Sequence, residues 1–336
     1  SQPVQQAQSG DNVELLLADT CFYLESGGQV ADSGVITSDP PGRWEVAVDE
    51  VRRPAAGVIV HVGHVVFGTP KVGDDAIARV DRDRRRAIMR NHTATHLLHA
   101  ELRKLLGEQV RQAGSLVAPD RLRFDFTYPM AVKQDQLEEI EARVNREIFA
   151  ENDLTIQVKP LEQAVNEGAM ALFGEKYGAE VRTIRIGEAD DIVSYELCGG
   201  THVHNTAEIG LFLITSESSV AAGIRRIEAV TGWQAYLFAR DRLNTLQTAA
   251  QMLMAAPQEV PAKLQALQTQ LEHLEKENTQ LHSRLAQEAF NTALSKVQHV
   301  EGVPVLAAII PSANAETLRS LADQFRQRYS SGVVVL

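Results

Sequence analysis

The chain has 336 residues, 44% hydrophobic and 23% charged, with a formal net charge of −11; this is the make-up of several packed domains and excludes a disordered tail. The acidic balance excludes a protein that coats polyanions generally, because non-specific nucleic-acid affinity comes from Lys and Arg neutralising phosphates, so any nucleic acid must be met locally. Two cysteines, Cys21 and Cys198, cannot build a disulfide framework, no apolar run reaches the roughly 18 residues of a membrane span, and the opening SQPVQQAQSGDN lacks the flanks of a secretory signal; a cytoplasmic protein is expected.

Residues 10 to 80 read as β structure. The runs VELLLAD, WEVAVDEV, GVIVHV and AIARVD are separated by the turn-formers SGG, DPPG, AAG and VGD, which predicts a small β-barrel over residues 1–84. Within it, DTCFYLESGGQVADSG carries Gly27, Gly28 and Gln29. GGQ alone is a tight turn. In a binding site the same letters mean backbone so near a ligand that only glycine fits, followed by an amide that donates and accepts hydrogen bonds. Next, RVDRDRRRAIMR, residues 79–90, holds six arginines against two aspartates; such a run is ordinarily a solvated face, but this one lies immediately before a candidate site.

That site begins in the helix RNHTATHLLHAELRKLLG, residues 90–107. At roughly 100° per residue, Leu98, Leu102, Leu105 and Leu106 share a stripe that His92, His96 and His99 extend along its edge. A polar ring buried without a partner costs roughly 1 to 3 kcal/mol, so inward imidazoles must hold something. Residues 85–235 then mix helices and strands without βα alternation: LRFDFTY, the charged helix DQLEEIEARVNREIFAEN, then LTIQVKP, VRTIRIG, GLFLITSES and IRRIEAVTG. The fold class expected is α+β with an antiparallel sheet.

Past Gly232 the pattern changes. Residues 236–298 read as a helical arm, with Leu264, Leu267, Leu271, Leu274, Leu281 and Leu285 at spacings of three and four and Asn278 at a seam position; coiled coil and antiparallel hairpin fit equally. Residues 299–336 read as strand, helix, strand, the start of an α/β unit too small to cover both faces of its sheet, and so a fragment is expected.

His92 and His96 at i, i+4 place two imidazole nitrogens on one helix face. The motif ELCGGTH repeats that spacing a hundred residues later with Cys198 and His202. Three nitrogens and one thiolate suit one zinc ion. His99 and His204 have no spacing argument and read as supporting or solvent-facing. Four protein ligands favour a structural metal, whereas catalytic zinc usually keeps an open position, and spacing leaves both readings standing. Position 93 is Thr rather than the Glu of HExxH, and no PCxxC is present, so metalloprotease and nucleotide-deaminase patterns both fail.

HTATHLLHA, CGGTH, FYLESGGQVADSG and SSVAAGIRRIEAVTG, in this order and separation, resemble the editing region of alanyl-tRNA synthetase, and the likeness continues through the arm into the last segment, similar to that family's tRNA-binding and dimerising domain. Free-standing alanyl-tRNA editing proteins are the nearest competitor, and a non-catalytic, zinc-stabilised tRNA-binding or dimerisation module and an unrelated zinc esterase are the alternatives. The resemblance implies that His92, His96, Cys198 and His202 ligate zinc, that Thr20 contacts a serine hydroxyl, and that Gln112 lies in the editing pocket. Gln29, with Gln112 and Thr20, is then expected in catalysis, Gly27, Gly28 and Gln29 against the terminal adenosine, and Arg85, Arg86 and Arg90 against the acceptor stem. Leu24 departs from the family's usual Ala. The implied reaction is hydrolysis of Ser-tRNA(Ala) and Gly-tRNA(Ala), needed because a pocket sized for alanine cannot exclude glycine and rejects an added hydroxyl weakly. No aminoacylation is expected of this stretch, and a homodimer through its C-terminal region is.

Overall fold

The computed structural model describes residues 2–171 and 177–336, and the chain divides into two units, residues 1–241 and 242–336. In the first, β1 (Asn12–Leu15), β2 (Gly34–Ser38), β3 (Trp44–Ala55), β4 (Val58–Gly68) and β5 (Ala76–Val80) make an antiparallel sheet in the order β1-β4-β3-β2-β5. Alternation turns Trp44, Val46 and Val48 to the side where Ile36, Phe22 and Val65 also lie buried. Among the described residues β1 does not pair with β5, so the predicted barrel is instead an open sheet. Its two edge strands are only four and five residues long, too short to build the extra ladder that closure needs.

Asp81 ends the sheet and caps α1 (Arg82–Leu106), accepting from the backbone N–H groups of Asp83 and Arg84 at 3.0 Å each. The arginine run therefore forms the first turns of the histidine helix rather than preceding it. From Asn91 to His99 every residue of α1 is buried, the polar ones included. The helix threads between β6 (Gln112–Val117) with β7 (Leu122–Thr127) and α2 (Gln134–Phe149), whose Ile140, Val144 and Ile148 recur at helical spacing and join Leu97, Leu98, Leu102, Phe124 and Phe126 in the main core.

β8 (Leu154–Pro160), α3 (Leu161–Asn166), β9 (Glu180–Gly187) and β10 (Ile192–Leu197) follow, with strand order β10-β9-β8; β11 (Phe212–Ala221) and β12 (Ile224–Thr231) complete a second sheet, β11-β12-β7-β6. Every pairing in both is antiparallel, as the α+β reading requires. β10 delivers the chain to the Cys198 loop, and β6 carries Gln112 at its first position.

The boundary between the units falls within α4 (Gly232–Met252). In the second unit α5 (Val260–Leu294) is one continuous helix of 35 residues with Pro261 in its first turn, where a missing N–H costs nothing. Its leucine stripe, which fits a coiled coil or a hairpin seam equally, stays 43–58% exposed. Val260 is buried at the start of the helix, and in its last turns Ala286 and Phe290 meet Leu306, Leu321 and Phe325. There β13 (Gln298–Val300) pairs antiparallel with β14 (Val303–Ala307), and α6 (Ala315–Arg328) returns the chain to β15 (Val333–Val335), parallel to β14, the strand–helix–strand order read from the sequence. No helix among the described residues is long and apolar enough to cross a membrane.

Candidate metal centre

One turn apart on α1, His92 and His96 stack with ring centres 5.3 Å apart. The loop after β10 brings Cys198 and His202 against them. It is pinned by Arg182 on β9, whose guanidinium donates to the Cys198 and Gly200 carbonyls at 2.9 and 2.7 Å, while the Cys198 N–H donates back to the Arg182 carbonyl at 3.0 Å. Gly200 is glycine because His92 occupies the space a side chain would take: a Cβ there would lie 1.9 Å from the ring's Cε1. The four donor atoms of His92, His96, Cys198 and His202 all fall within 4.8 Å of one another, and Cys198 Sγ is 3.4 Å from the Nε2 atoms of both His92 and His202.

The opposite nitrogen of each ring is anchored. His92 Nδ1 donates to Gln29 Oε1 at 2.6 Å, His96 Nδ1 to Glu196 Oε2 at 2.8 Å, and His202 Nδ1 to Thr93 Oγ1 at 3.2 Å, with the Thr93 hydroxyl donating on to the Met89 carbonyl. With Nδ1 as donor, Nε2 is the atom left facing the common point, and once its ring is neutral it offers a lone pair there, the usual support of a metal-binding histidine. His96 Nε2 is buried with no hydrogen-bond partner. An unpartnered buried nitrogen, two more imidazole nitrogens and a thiolate fit one zinc ion by number and softness.

Burial opposes every charge here, and specific partners outweigh it at Glu196, His96 and Cys198 but not at His202. Despite desolvation, the positive charge of His96 and the hydrogen bonds from His96 and His99 hold Glu196 well below the usual carboxylate range. The same desolvation acts on His96, but the charge of Glu196 raises it to about 10. Desolvation and repulsion from His92 lower His202 to about 3. The Cys198 thiol lies well below its ordinary value because His92 and His202 outweigh its burial, so it is poised as a thiolate.

Beside the donors lies a cavity of about 60 Å³, room for a few waters or a small side chain, lined among others by Gly27, Thr95, His99, Gln112 and Phe124. Gln112 and Gly27 are thus brought to the site. Thr20 is not among the lining residues, and its hydroxyl is 2.7 Å from His61 Nε2. Gly28 is required by the fold itself. A Cβ on it would lie 2.4 Å from the Ser115 carbonyl oxygen, and its own carbonyl accepts from Val117 N–H at 2.7 Å, so the close neighbour expected to be a ligand is strand β6. Gln29 is fully buried, its amide taken up by His92 and by the Thr201 N–H and hydroxyl, and it reaches the centre through His92.

The arginines line a separate groove of about 440 Å³ with His204 and Glu208. Arg85 is committed internally, gripping the buried Asp32 carboxylate and donating to the Cys21 carbonyl at 2.9 Å. Arg90 donates to the Glu208 carbonyl at 2.7 Å, and Arg86 is exposed. Sequence reasoning passed over Glu196, although it stands inside ELCGGTH; a carboxylate two residues before the candidate donor Cys198, near the end of β10, was the available signal.

Residues 181–228 match the family model described as the second additional domain of threonyl and alanyl tRNA synthetases, and residues 1–84 match the model of class II (A) tRNA synthetases. The chain is 48% identical over 335 residues to the alanine–tRNA ligase of Geobacillus thermodenitrificans, 46% over 351 residues to that of a Roseiflexus species, and 43% over 335 residues to that of Bacillus subtilis. These alignments take in 99–100% of this chain and 37–38% of those proteins, so the chain spans little more than a third of the relatives it matches.

Proposed function

The chain belongs to the alanyl-tRNA synthetase family, and from that premise we propose that it carries the family's editing activity, hydrolysis of the ester joining serine or glycine to the 3′ end of alanine tRNA. The observation that supports this most is the convergence of four metal donors from two distant segments at the wall of a cavity that also presents Gln112 and Gly27. In the reaction water adds to the ester carbonyl and the bond to the ribose oxygen breaks. The free amino acid and the restored tRNA hydroxyl share the water's hydrogens. A zinc ion held by His92, His96, Cys198 and His202 would supply Lewis-acid polarisation at that cavity.

The protein's own residues position the reactants. Gln112 offers an amide donor and acceptor to the aminoacyl group, Gly27 gives a wall of backbone, and Gln29 and Glu196 fix the histidines. Thr20 does not line the cavity, its hydroxyl lying 2.7 Å from His61 Nε2, and this reading gives it no role. In the groove, Arg86, exposed like its neighbour Arg82, is a side chain able to meet a phosphate of the acceptor stem, while Arg85 and Arg90 shape the wall. Self-association through the C-terminal segment belongs to the same reading, and a monomer mass in solution would remove it.

A second reading is favoured by the donor count: four protein ligands close a tetrahedron, as in a structural site. It predicts tRNA binding without hydrolysis and unfolding on chelation. A time course of serine release from Ser-tRNA(Ala), with and without Cys198→Ala, tests the first reading directly. Release that depends on Cys198 supports it, and a chain that binds tRNA but leaves the ester intact defeats it.

A further inference from the structure

The metal donors use three buried histidines of this cluster, and a fourth is left over. His99 is 2% exposed, lies outside the four-donor set and lines the cavity beside Gln112 and Phe124, its ring centre 5.2 Å from that of Phe124. Its Nδ1 is 3.0 Å from Glu196 Oε1, an acceptor, so in the neutral ring Nδ1 carries the proton and Nε2 keeps a lone pair. That Nε2 is buried with no hydrogen-bond partner. Folded proteins rarely leave such an atom unmatched, and the unmatched ones point to a ligand, water or strain. Coordination explains the parallel orphan on His96 but not this one.

We propose that His99 Nε2 is the acceptor that reads the hydroxyl of the substrate's aminoacyl side chain, making His99 a specificity-determining residue of the cavity. The inference rests on the editing reading above. Glu196 selects the Nδ1–H tautomer, and in that neutral ring Nε2 offers a lone pair that a donor satisfies. The cavity of about 60 Å³ is of a size for a short side chain. A seryl hydroxyl satisfies the nitrogen. An alanyl methyl group displaces water from it and returns nothing, and a site built on a hydrogen bond to substrate rejects the analogue lacking that group far better than an apolar pocket rejects an added one. The correct product is thereby spared without any steric gate. Thr20, which the family resemblance would use for this task, does not line the cavity, and the inference does not need it.

The test uses the full chain and the hydrolysis-resistant seryl, alanyl and glycyl amides of 3′-amino-3′-deoxyadenosine as binding probes, with zinc content measured for each variant. His99→Phe keeps the ring's volume and removes both nitrogens, His99→Leu is the alternative should Phe not be accommodated, and His99→Gln restores a donor for Glu196 and an acceptor for the ligand. Wild type is expected to bind the seryl amide about tenfold or more tighter than the alanyl amide, the worth of one buried hydrogen bond. His99→Phe or His99→Leu should erase that preference and lower the seryl-to-glycyl ratio of deacylation rates by a similar factor at unchanged zinc content, with partial recovery in His99→Gln. An unchanged seryl preference overturns the proposal. Equal slowing of seryl and glycyl hydrolysis also overturns it, since that is the signature of a ring that orders the attacking water. Wild-type protein that holds zinc but hydrolyses neither ester defeats the editing reading itself, a result distinct from either.

Discussion

Replacing Gly200 by alanine should cripple metal binding while the same change one residue earlier should not. A Cβ at 200 would lie 1.9 Å from His92 Cε1, 2.3 Å from its Nδ1 and 2.8 Å from Gln29 Oε1. Non-bonded carbons approach to about 3.5 Å, so the imidazole would have to retreat by roughly 1.5 Å, whereas ligand distances tolerate about 0.2 Å. Gln29 cannot yield in its place, being fully buried and held by Thr201 at 2.9 Å through both ends of its amide. Disturbing one ligand's support typically lowers metal affinity about 10- to 100-fold, and displacing the ligand itself should cost at least that. At Gly199 an added Cβ meets nothing within 4 Å. Competition against a chromophoric chelator at neutral pH measures both variants. Wild-type zinc affinity in Gly200→Ala, or an equal loss in Gly199→Ala, would refute the packing argument.

Gln29→Ala removes the acceptor for His92 Nδ1 and the partner of Thr201, so zinc affinity should fall about 10- to 100-fold while tRNA binding, measured separately by filter retention, persists. Zinc binding should release at least one proton near neutral pH, because the charge of Glu196 keeps His96 protonated up to about 10 in the metal-free state, and coordination needs it neutral. Little release should come from Cys198, already held well below its ordinary value; calorimetry in buffers of differing ionisation enthalpy counts these protons, and zero would contradict the assignment. Asp81→Ala deletes the cap of α1 and should lower stability by about 1 kcal/mol in urea unfolding. Phe290→Ala empties a fully buried position in the second unit and should cost about 3–5 kcal/mol there.

Element types were legible wherever periodicity was long: α1, α2, α5 and the strands around Phe124 and Ile227 stand where alternation or helical spacing placed them. The short runs were not. β2 follows a loop and is five residues long, and β6 begins at Gln112 amid glycine and polar residues, so neither has an apolar signature of its own. The four side chains of the candidate metal centre could be picked out because i, i+4 spacing and ligand chemistry are local properties. Glu196 and Gln29 act across 100 and 63 residues of sequence, and no periodicity encodes a tertiary hydrogen bond. The GGQ turn shows the same limit, since the sequence says that backbone must come close to something, and only the fold says that the something is the Ser115 carbonyl. Arg85 looked free for phosphate because its partner, Asp32, lies 53 residues away.

The account stands on one cation held by His92, His96, Cys198 and His202, and an X-ray absorption spectrum of the zinc-loaded chain interrogates that shell directly. It should report three nitrogens near 2.0–2.1 Å and a single sulfur near 2.3 Å, with the sulfur contribution gone in Cys198→Ala. A shell of oxygen and nitrogen alone in the unaltered protein, or a chain that retains no zinc at all, would contradict it.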